Sequence, residues 1–343
     1  MNQPNTPDSE DFASQRAEEL AREAATWDAS RLEQASEDDI PVVDVEHYFA
    51  TGDRAELERL GEQLRFIGEN IGFHCLVGHG IDTRDFESIF DAAARFLTLP
   101  DEVKSRITID DPEAAAGGIG WMPRGERRLP ARAKGNLNEA VLFKQDRTLT
   151  LADNPWLPEA VVPGFRAAVE AYAEKIERVA IALLPLYAVA LELDPEWFTP
   201  AFQSPFSRLR MTRYADTSDA DIDQYGIAPH VDTTFFTLLA QSAPGLAIYG
   251  EQRKVWLKAP TIPDALVVNT GELLKQWSND RFVSVKHFVP PHVGEEDRYS
   301  VPFFFNATAD YPMECLPTCH GPDNPPRYPT VSYLDSQGVA QRE

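Results

Sequence analysis

The stretch SRLRMTRYA (207–215) begins a series of seven short runs that are rich in β-branched and aromatic residues. Turn-forming residues such as Gly, Pro and Asp separate these runs. Short strands at this spacing are typical of a β-sandwich or barrel. The sequence therefore predicts an all-β unit after Pro205, and its other six runs are TFFTLLAQ (234–241), LAIYG (246–250), KVWLKAP (254–260), ALVVN (265–269), SVKHFV (284–289) and YSVPFFFNA (299–307).

The residues that precede this unit follow a different pattern. IPVVDV (40–45) and GFHCLVGHGI (72–81) are typical of short strands, whereas three longer segments repeat apolar residues at helical spacing. The stretch 110–135 is rich in Gly, Pro and Arg, and we expect it to be irregular. The sequence therefore predicts an α+β protein that is mainly β in its second half, with helices over 54–71, 83–98 and 163–193 around the β unit.

Composition limits the classes of function. Hydrophobic residues make up 43% of the 343 residues, which is enough for a sizeable core. The formal net charge of −23 argues against nucleic acid or an anionic membrane as a partner, because both attract basic surfaces. The three cysteines are too few for a disulfide framework, so we expect a cytoplasmic protein. Nothing in the sequence determines the oligomeric state.

The N-terminal segment is strongly acidic, with eleven acids and three arginines in residues 1–40. Within it, the Ala- and Glu-rich residues from Phe12 to Trp27 can form one amphipathic helix, and we expect the remainder to be mobile. The folded body is expected to begin near Ile40. The predicted organisation is a leader (1–39), a mixed N-terminal region (40–204), the β core (205–307) and a C-terminal segment (308–343).

One arrangement of histidines indicates a metal site. His230 and Asp232 are two residues apart, so on a strand their side chains would point to the same face. His287 follows in a later predicted strand. Two histidines and one carboxylate are the ligands of the facial triad, which leaves coordination positions of Fe(II) open. Pairs of the His-x-Asp type also occur by chance, so a second feature is needed.

Arg298 and Ser300 supply that second feature. They begin the strand RYSVPFFFNA (298–307), where alternate residues share a face. The planar guanidinium of arginine can bind a carboxylate through two hydrogen bonds, and a neighbouring hydroxyl adds a further donor. The pair therefore indicates a site for an organic acid, although Arg298 alone could be an exposed strand charge.

Together these features resemble the iron(II)/2-oxoglutarate-dependent dioxygenases of the isopenicillin N synthase-like family. The resemblance extends over about 40–335 and implies a double-stranded β-helix (jelly roll) core with N-terminal and flanking helices. IPVVDV, GFHCLVGHGI, GGIGWMP and NLNEAVLF resemble the family's N-terminal region. The segments that match the catalytic core, 205–307, are APHVDTTFFTLLAQ (228–241), ALVVNTGELLKQWSNDRFVSVKHFV (265–289) and RYSVPFFFNA (298–307).

The resemblance also implies roles for individual residues. Tyr214 matches a tyrosine that reaches the distal carboxylate of 2-oxoglutarate, whereas Thr212 replaces the family's asparagine, which puts one cosubstrate contact in doubt. Asn269, Gly271 and Glu272 match a turn that we expect to be architectural. The implied Fe(II) ligands are His230, Asp232 and His287, and the implied ligands of the distal carboxylate are Arg298 and Ser300.

Two further positions are candidate substrate contacts. Arg210 shares a strand face with Thr212 and Tyr214, and the matching residue is basic in some flavonoid-oxidising relatives. It is a candidate contact for an anionic substrate, with a structural salt bridge as the alternative. Phe304 continues the alternation from Arg298 and matches an aromatic residue of the substrate pocket, with a core phenylalanine as the alternative.

The activity implied by the resemblance is oxidation of a C–H bond in a small molecule, with a specialised metabolite as the expected class. Fe(II) is the implied metal and O₂ and 2-oxoglutarate are the implied cosubstrates, with succinate and CO₂ as co-products. Some relatives, such as isopenicillin N synthase and aminocyclopropanecarboxylate oxidase, keep the Arg-x-Ser pair without using 2-oxoglutarate. A second alternative is a jelly roll that binds a ligand without catalysis.

Overall fold

Thirteen short strands form the centre of the described part of the chain. The computed structural model describes residues 32–109, 118–126, 134–218, 220 and 224–336. The strands are β1 (Glu33–Gln34), β2 (Val42–Asp44), β3 (Phe73–Val77), β4 (Gly120–Met122), β5 (Glu139–Gln145), β6 (Phe206–Tyr214), β7 (Ile227–His230), β8 (Phe236–Gln241), β9 (Ala247–Gly250), β10 (Val255–Lys258), β11 (Leu266–Thr270), β12 (His287–Val289) and β13 (Arg298–Asn306).

The strands form two sheets, whose pairing is antiparallel except for β1 with β10 and β2 with β3. The larger sheet has the order β2-β3-β11-β8-β13-β6-β5-β4, and the smaller has the order β1-β10-β9-β12-β7. Neighbouring strands are often distant in sequence, as in β11-β8-β13-β6. This mixed-sheet architecture with flanking helices confirms the predicted jelly roll, and all seven predicted runs contain a strand.

Apolar side chains from both sheets fill the space between them. Phe73 and Cys75 come from β3 of the larger sheet, and Ile248 and Val289 come from β9 and β12 of the smaller sheet. Because alternate residues of a strand face opposite sides, Tyr214 of β6 joins this interior whereas its neighbours in the chain point outward. Inward-facing polar residues of the strands therefore lie in a largely apolar interior.

Helices cover the outer face of the larger sheet. Asp53 and Asp82 cap two of them by accepting backbone N–H bonds, the second in a capping box with Asp85. Among the described residues, no helix combines the length and apolar character that a membrane crossing requires. The helices are α1 (Glu46–Thr51), α2 (Arg54–Asn70), α3 (Thr83–Leu97), α4 (Asp101–Lys104), α5 (Phe165–Ala190), α6 (Glu272–Trp277) and α7 (Tyr333–Ser336), with 3₁₀ turns at Ser105–Ile107 and Leu151–Asp153.

The structure corrects two sequence-based boundaries. Ordered structure begins before Ile40, because β1 pairs with β10 and Arg253 forms ion pairs with Glu33 and Asp39. The stretch 110–135 is not wholly irregular, because β4 lies within it and pairs with β5. The predicted helix from Phe12 to Trp27 lies outside the described residues.

Candidate active site

Three side chains meet where the two sheets face each other. His230 ends β7, His287 begins β12, and the two residues pair directly across these antiparallel strands. Asp232 follows the end of β7, and its Oδ1 lies 3.6 Å from His230 Nε2 and 3.7 Å from His287 Nε2. Within the described part of the chain, this is the single group of three His, Cys, Asp or Glu side chains whose ligand atoms lie within 4.8 Å of one another.

His230 and Asp232 lie together as predicted, but for a different reason. β7 ends at His230, so Asp232 lies in the irregular segment that follows the strand and not on the strand itself. A backbone hydrogen bond from the Glu272 N–H to the Asp232 carbonyl at 2.7 Å holds that segment. The segment after β7, and not regular strand structure, therefore positions the carboxylate beside the histidines.

Both histidines are oriented with Nε2 towards the carboxylate. His230 Nδ1 lies 2.9 Å from the Ala228 carbonyl, and His287 Nδ1 lies 3.1 Å from the Val285 carbonyl. Since a carbonyl oxygen only accepts hydrogen bonds, each Nδ1 carries a proton, which leaves Nε2 as the nitrogen that would bind a metal. The ring of Phe73 packs edge-on against His287, with 5.4 Å between the ring centroids. The geometry and tautomers therefore fit a divalent metal of the Fe(II) type.

Two residues that the sequence analysis did not assign to the site hold Asp232 in place. Thr237 Oγ1 and Asn269 Nδ2 donate hydrogen bonds to Asp232 Oδ2 at 2.7 and 2.9 Å. The carboxylate therefore uses one oxygen for these donors and turns the other, Oδ1, towards the histidines. Asn269 was expected to be architectural, and this contact shows which side chain it supports.

The environment of Asp232 favours its charged form. Burial opposes ionisation, but the adjacent His287 and His230 together with the hydrogen bonds from Asn269 and Thr237 outweigh it, so the pKa of Asp232 is lowered. A carboxylate that stays ionised in a buried site is the form that binds a metal.

Arg298 lies at the other functional end of the interior and is only 1% exposed. Its Nε donates to the Ala243 carbonyl at 3.1 Å, and its Nη2 donates to Gln241 Oε1 at 2.9 Å. Its Nη1 is buried and has no hydrogen-bond partner among the described residues. Burial lowers the pKa of Arg298. A buried guanidinium with an unused N–H group fits an anionic ligand, and the alternative of an exposed strand charge is wrong.

The other predicted cosubstrate residues surround Arg298 on the paired strands β13 and β6. Tyr214 lies opposite Arg298, with its ring 4.7 Å from the guanidinium carbon, and Thr212 lies opposite Ser300. Ser300 Oγ lies 3.5 Å from the Tyr214 hydroxyl. Thr212, which replaces the expected asparagine, accepts a hydrogen bond from Arg210 Nε at 3.1 Å. All four predicted residues therefore face the same interior.

The two candidate substrate residues lie further along the same strands. Arg210 is buried, and its Nη2 donates to Asn138 Oδ1 at 2.7 Å. Phe304 is half-buried, and the guanidinium carbon of Arg208 lies 5.3 Å from its ring centroid. Beside Arg210, Met122 of β4 and Ala140 and Leu142 of β5 form an apolar cluster together with Ile109, which precedes β4.

Strand β8 connects the two ends of this site. Thr237, which holds Asp232, and Gln241, which holds Arg298, are four residues apart and face the same interior. Four residues of an extended strand span roughly 13 Å. Because both contacts come from one strand, the spacing between the metal-type site and the arginine is fixed by backbone geometry.

Comparison with known proteins identifies two family models along the chain. Residues 205–307 match the 2OG-Fe(II) oxygenase superfamily, and residues 40–160 match the N-terminal domain described as non-haem dioxygenase in morphine synthesis. The chain is 30% identical over 273 residues to a 2-oxoglutarate-dependent dioxygenase of Didymella fabae, covering 76% of this chain and 82% of that protein. It is 29% identical over 311 residues to the 2-oxoglutarate-Fe(II) type oxidoreductase hxnY of Emericella nidulans, covering 86% and 87% of the two chains.

Solved structures show the same fold. A full-length protein of Neurospora crassa, in complex with alpha-KG and thymine, superposes with a TM-score of 0.78 at 23% identity and covers 90% of this chain and 99% of its own. A putative 2OG-Fe(II) oxygenase family protein of Caulobacter crescentus superposes with a TM-score of 0.74 at 26% identity, covering 88% and 98%. The site geometry and these similarities lead to one conclusion: the chain belongs to the 2-oxoglutarate- and Fe(II)-dependent oxygenases.

Proposed function

We propose that this protein oxidises a C–H bond of a small-molecule substrate, with Fe(II) bound by His230, Asp232 and His287. In this proposal Arg298, Ser300 and Tyr214 bind the distal carboxylate of 2-oxoglutarate, and Thr212 lines the same pocket. O₂ is the oxidant, and succinate and CO₂ are the co-products. A specialised metabolite is the expected class of substrate.

One observation carries this proposal, namely the presence of a metal-type triad and a buried, incompletely bonded arginine in the same interior. The triad accounts for the binding of a metal but gives no reason for burying Arg298. The Nη1 group of Arg298, which lacks a partner among the described residues, accounts for the binding of an anion but not for the two histidines. A ligand with a 2-oxo acid at one end and a carboxylate at the other requires both.

Each part of the site has a distinct chemical task. When bound, Fe(II) supplies the activation of O₂ that protein side chains cannot perform. The Nδ1 hydrogen bonds of His230 and His287 keep their Nε2 lone pairs available to the metal. Arg298 fixes the far end of the cosubstrate, so that its 2-oxo acid end is directed at the metal.

The proposal is tested by measuring O₂ uptake and succinate formation with Fe(II), in the presence and absence of 2-oxoglutarate. We expect both to require 2-oxoglutarate and to rise when a substrate from a panel of small organic molecules is added. Turnover without 2-oxoglutarate would instead place the protein with the isopenicillin N synthase type. Gln341, which resembles the glutamine tail of that synthase, lies outside the described residues.

We propose that the substrate lies beside Arg210 and Phe304, against the apolar cluster of β4 and β5. A buried guanidinium next to an apolar wall suits a molecule with an apolar body and an anionic group. The Arg210→Met variant tests this, because it should reduce turnover of carboxylated substrates more than turnover of neutral analogues. Equal losses for both would favour a purely structural Arg210.

The charge and the cysteines of the chain suggest a cellular compartment and the kinds of partner that it lacks. We propose a cytoplasmic protein without nucleic-acid or membrane partners, based on the net charge of −23 and on free thiols at Cys75, Cys315 and Cys319. We also propose that neither the acidic segment before β1 nor the C-terminal segment, residues 308–343, contributes ligands to the metal. Fractionation of cells and metal binding by variants truncated at either end test these proposals.

A further inference from the structure

We propose that Gln241 is a positioning residue that makes the site selective for a cosubstrate with a second carboxylate. It would do so by orienting the Arg298 guanidinium through a neutral acceptor, which leaves the arginine's charge available. This inference rests on the proposed function, because it assumes that Arg298 binds the distal carboxylate of 2-oxoglutarate.

The first support is the distribution of the hydrogen bonds of Arg298. Gln241 Oε1 accepts from Nη2 at 2.9 Å, and the Ala243 carbonyl accepts from Nε at 3.1 Å. These two acceptors bind one edge of the planar guanidinium. The Nη1 group is therefore directed away from them, and it is the part that lacks a partner among the described residues.

The second support is that packing prevents the guanidinium from turning. The ring of Tyr214 lies 4.7 Å from the guanidinium carbon. The backbone of Gly245 also approaches closely, because a Cβ atom added there would lie 2.6 Å from Arg298 Nε. The guanidinium thus packs against both a ring and the backbone of a glycine, and Gln241 supplies a side-chain hydrogen bond that directs it.

The third support is the charge of the acceptors. An amide oxygen and a backbone carbonyl can orient a guanidinium without cancelling its positive charge. A glutamate at position 241 would have nearly the same shape but would form a partly buried ion pair with Arg298. Such a pair would compete with an incoming carboxylate for the same cation.

The experiment compares the wild type with the Gln241→Glu and Gln241→Met variants. Each protein is loaded with Mn(II), and binding of 2-oxoglutarate and of 2-oxobutyrate is measured by calorimetry. Both ligands carry the 2-oxo acid, but 2-oxobutyrate lacks the distal carboxylate. The ratio of the two affinities therefore reports on Arg298 separately from the metal.

We expect Gln241→Glu to weaken the binding of 2-oxoglutarate roughly 10- to 100-fold, which is the range expected for one charge-assisted hydrogen bond. Binding of 2-oxobutyrate should change much less, so the ratio of the two affinities, which measures the preference for the dicarboxylate, should fall. Gln241→Met, which removes the acceptor without adding charge, should lower the same ratio by a smaller factor. Gln63→Glu is the matched control, because Gln63 lies on α2 and bonds to the Val42 carbonyl.

Specific outcomes would overturn the inference. A wild-type affinity ratio in Gln241→Glu would show that Gln241 does not control the charge of Arg298. An equal loss in Gln241→Met and Gln241→Glu would show that orientation alone matters and that the neutrality of Gln241 does not. If Gln241→Glu does not fold, an unchanged ratio in Gln241→Met still contradicts the proposal. Failure of the proposed function is distinguishable, because the wild type itself would then not prefer 2-oxoglutarate.

Discussion

Removing the hydroxyl of Thr237 should weaken metal binding although all three residues of the triad are kept. Thr237 Oγ1 donates to Asp232 Oδ2 at 2.7 Å, and both residues are buried. Valine has nearly the same shape as threonine, so Thr237→Val deletes the donor and leaves the packing in place. Asp232 would then keep the Asn269 donor but lose half of the hydrogen bonds to its outer oxygen.

The magnitude follows from the geometry. A hydrogen bond to a charged group contributes roughly 1.5–3 kcal/mol, and partners of metal ligands typically contribute about 10- to 100-fold in metal affinity. Because Asn269 still holds the carboxylate, we expect the lower part of that range. Thr237→Val should therefore raise the Kd for Mn(II) by roughly tenfold, which corresponds to about 1.4 kcal/mol.

The assay is calorimetric titration of Mn(II) into metal-free protein, together with urea unfolding of each variant. Thr217→Val is the matched control, because Thr217 is also buried and donates its hydroxyl to the His292 carbonyl at 3.0 Å. We expect the control to bind Mn(II) as the wild type does. A Thr237→Val protein that is folded and binds Mn(II) within about twofold of the wild type would refute the reasoning.

Three further predictions concern the metal, the cosubstrate and pH. Asp232→Ala should abolish both Mn(II) binding and succinate formation, and full turnover would mean that the metal lies elsewhere. Arg298→Met should raise the KM for 2-oxoglutarate by roughly 10- to 100-fold while Mn(II) affinity stays unchanged. A loss of Mn(II) binding would contradict the inference that Arg298 and the metal ligands act at separate ends of the site. Burial lowers the pKa of His74 from 6.5 to about 3 in the folded protein. At pH values between these two, the unfolded chain binds a proton at His74 that the folded chain does not. From pH 6 to pH 4, the free energy of unfolding of the wild type, measured in urea, should therefore fall by about 1.4 kcal/mol per pH unit more than that of His74→Leu. The same pH dependence of unfolding in both proteins would refute this.

The fold could be predicted because its signals are local. Each of the seven runs after Pro205 is rich in strand-forming residues, and a strand lies within each. The long helix α5 was predicted over 163–193 and occupies Phe165–Ala190. The short strand β4 was missed because Gly120–Met122 lies in a glycine-rich context, and its order comes from pairing with β5. Pairing of that kind depends on residues far along the chain.

The site shows the same division between local and distant information. His230, Asp232 and His287 were recognisable as a set of metal-ligand types, and the structure brings them together. The contacts of Thr237 and Asn269 were not predictable, because a threonine and an asparagine within strands carry no chemical signature of their own. Their function arises only when β8 and β11 place them beside Asp232.

Both charged ends of the site follow one physical rule. The outer oxygen of Asp232 accepts hydrogen bonds from a hydroxyl and an amide, and Arg298 donates to an amide and a backbone carbonyl. Neutral partners of this kind fix the direction of a charged side chain while leaving its charge to act on a ligand. An arginine beside Asp232, or a glutamate beside Arg298, would stabilise the empty site at the expense of binding. The neutral residues around the site are therefore as much a part of its function as the charged ones.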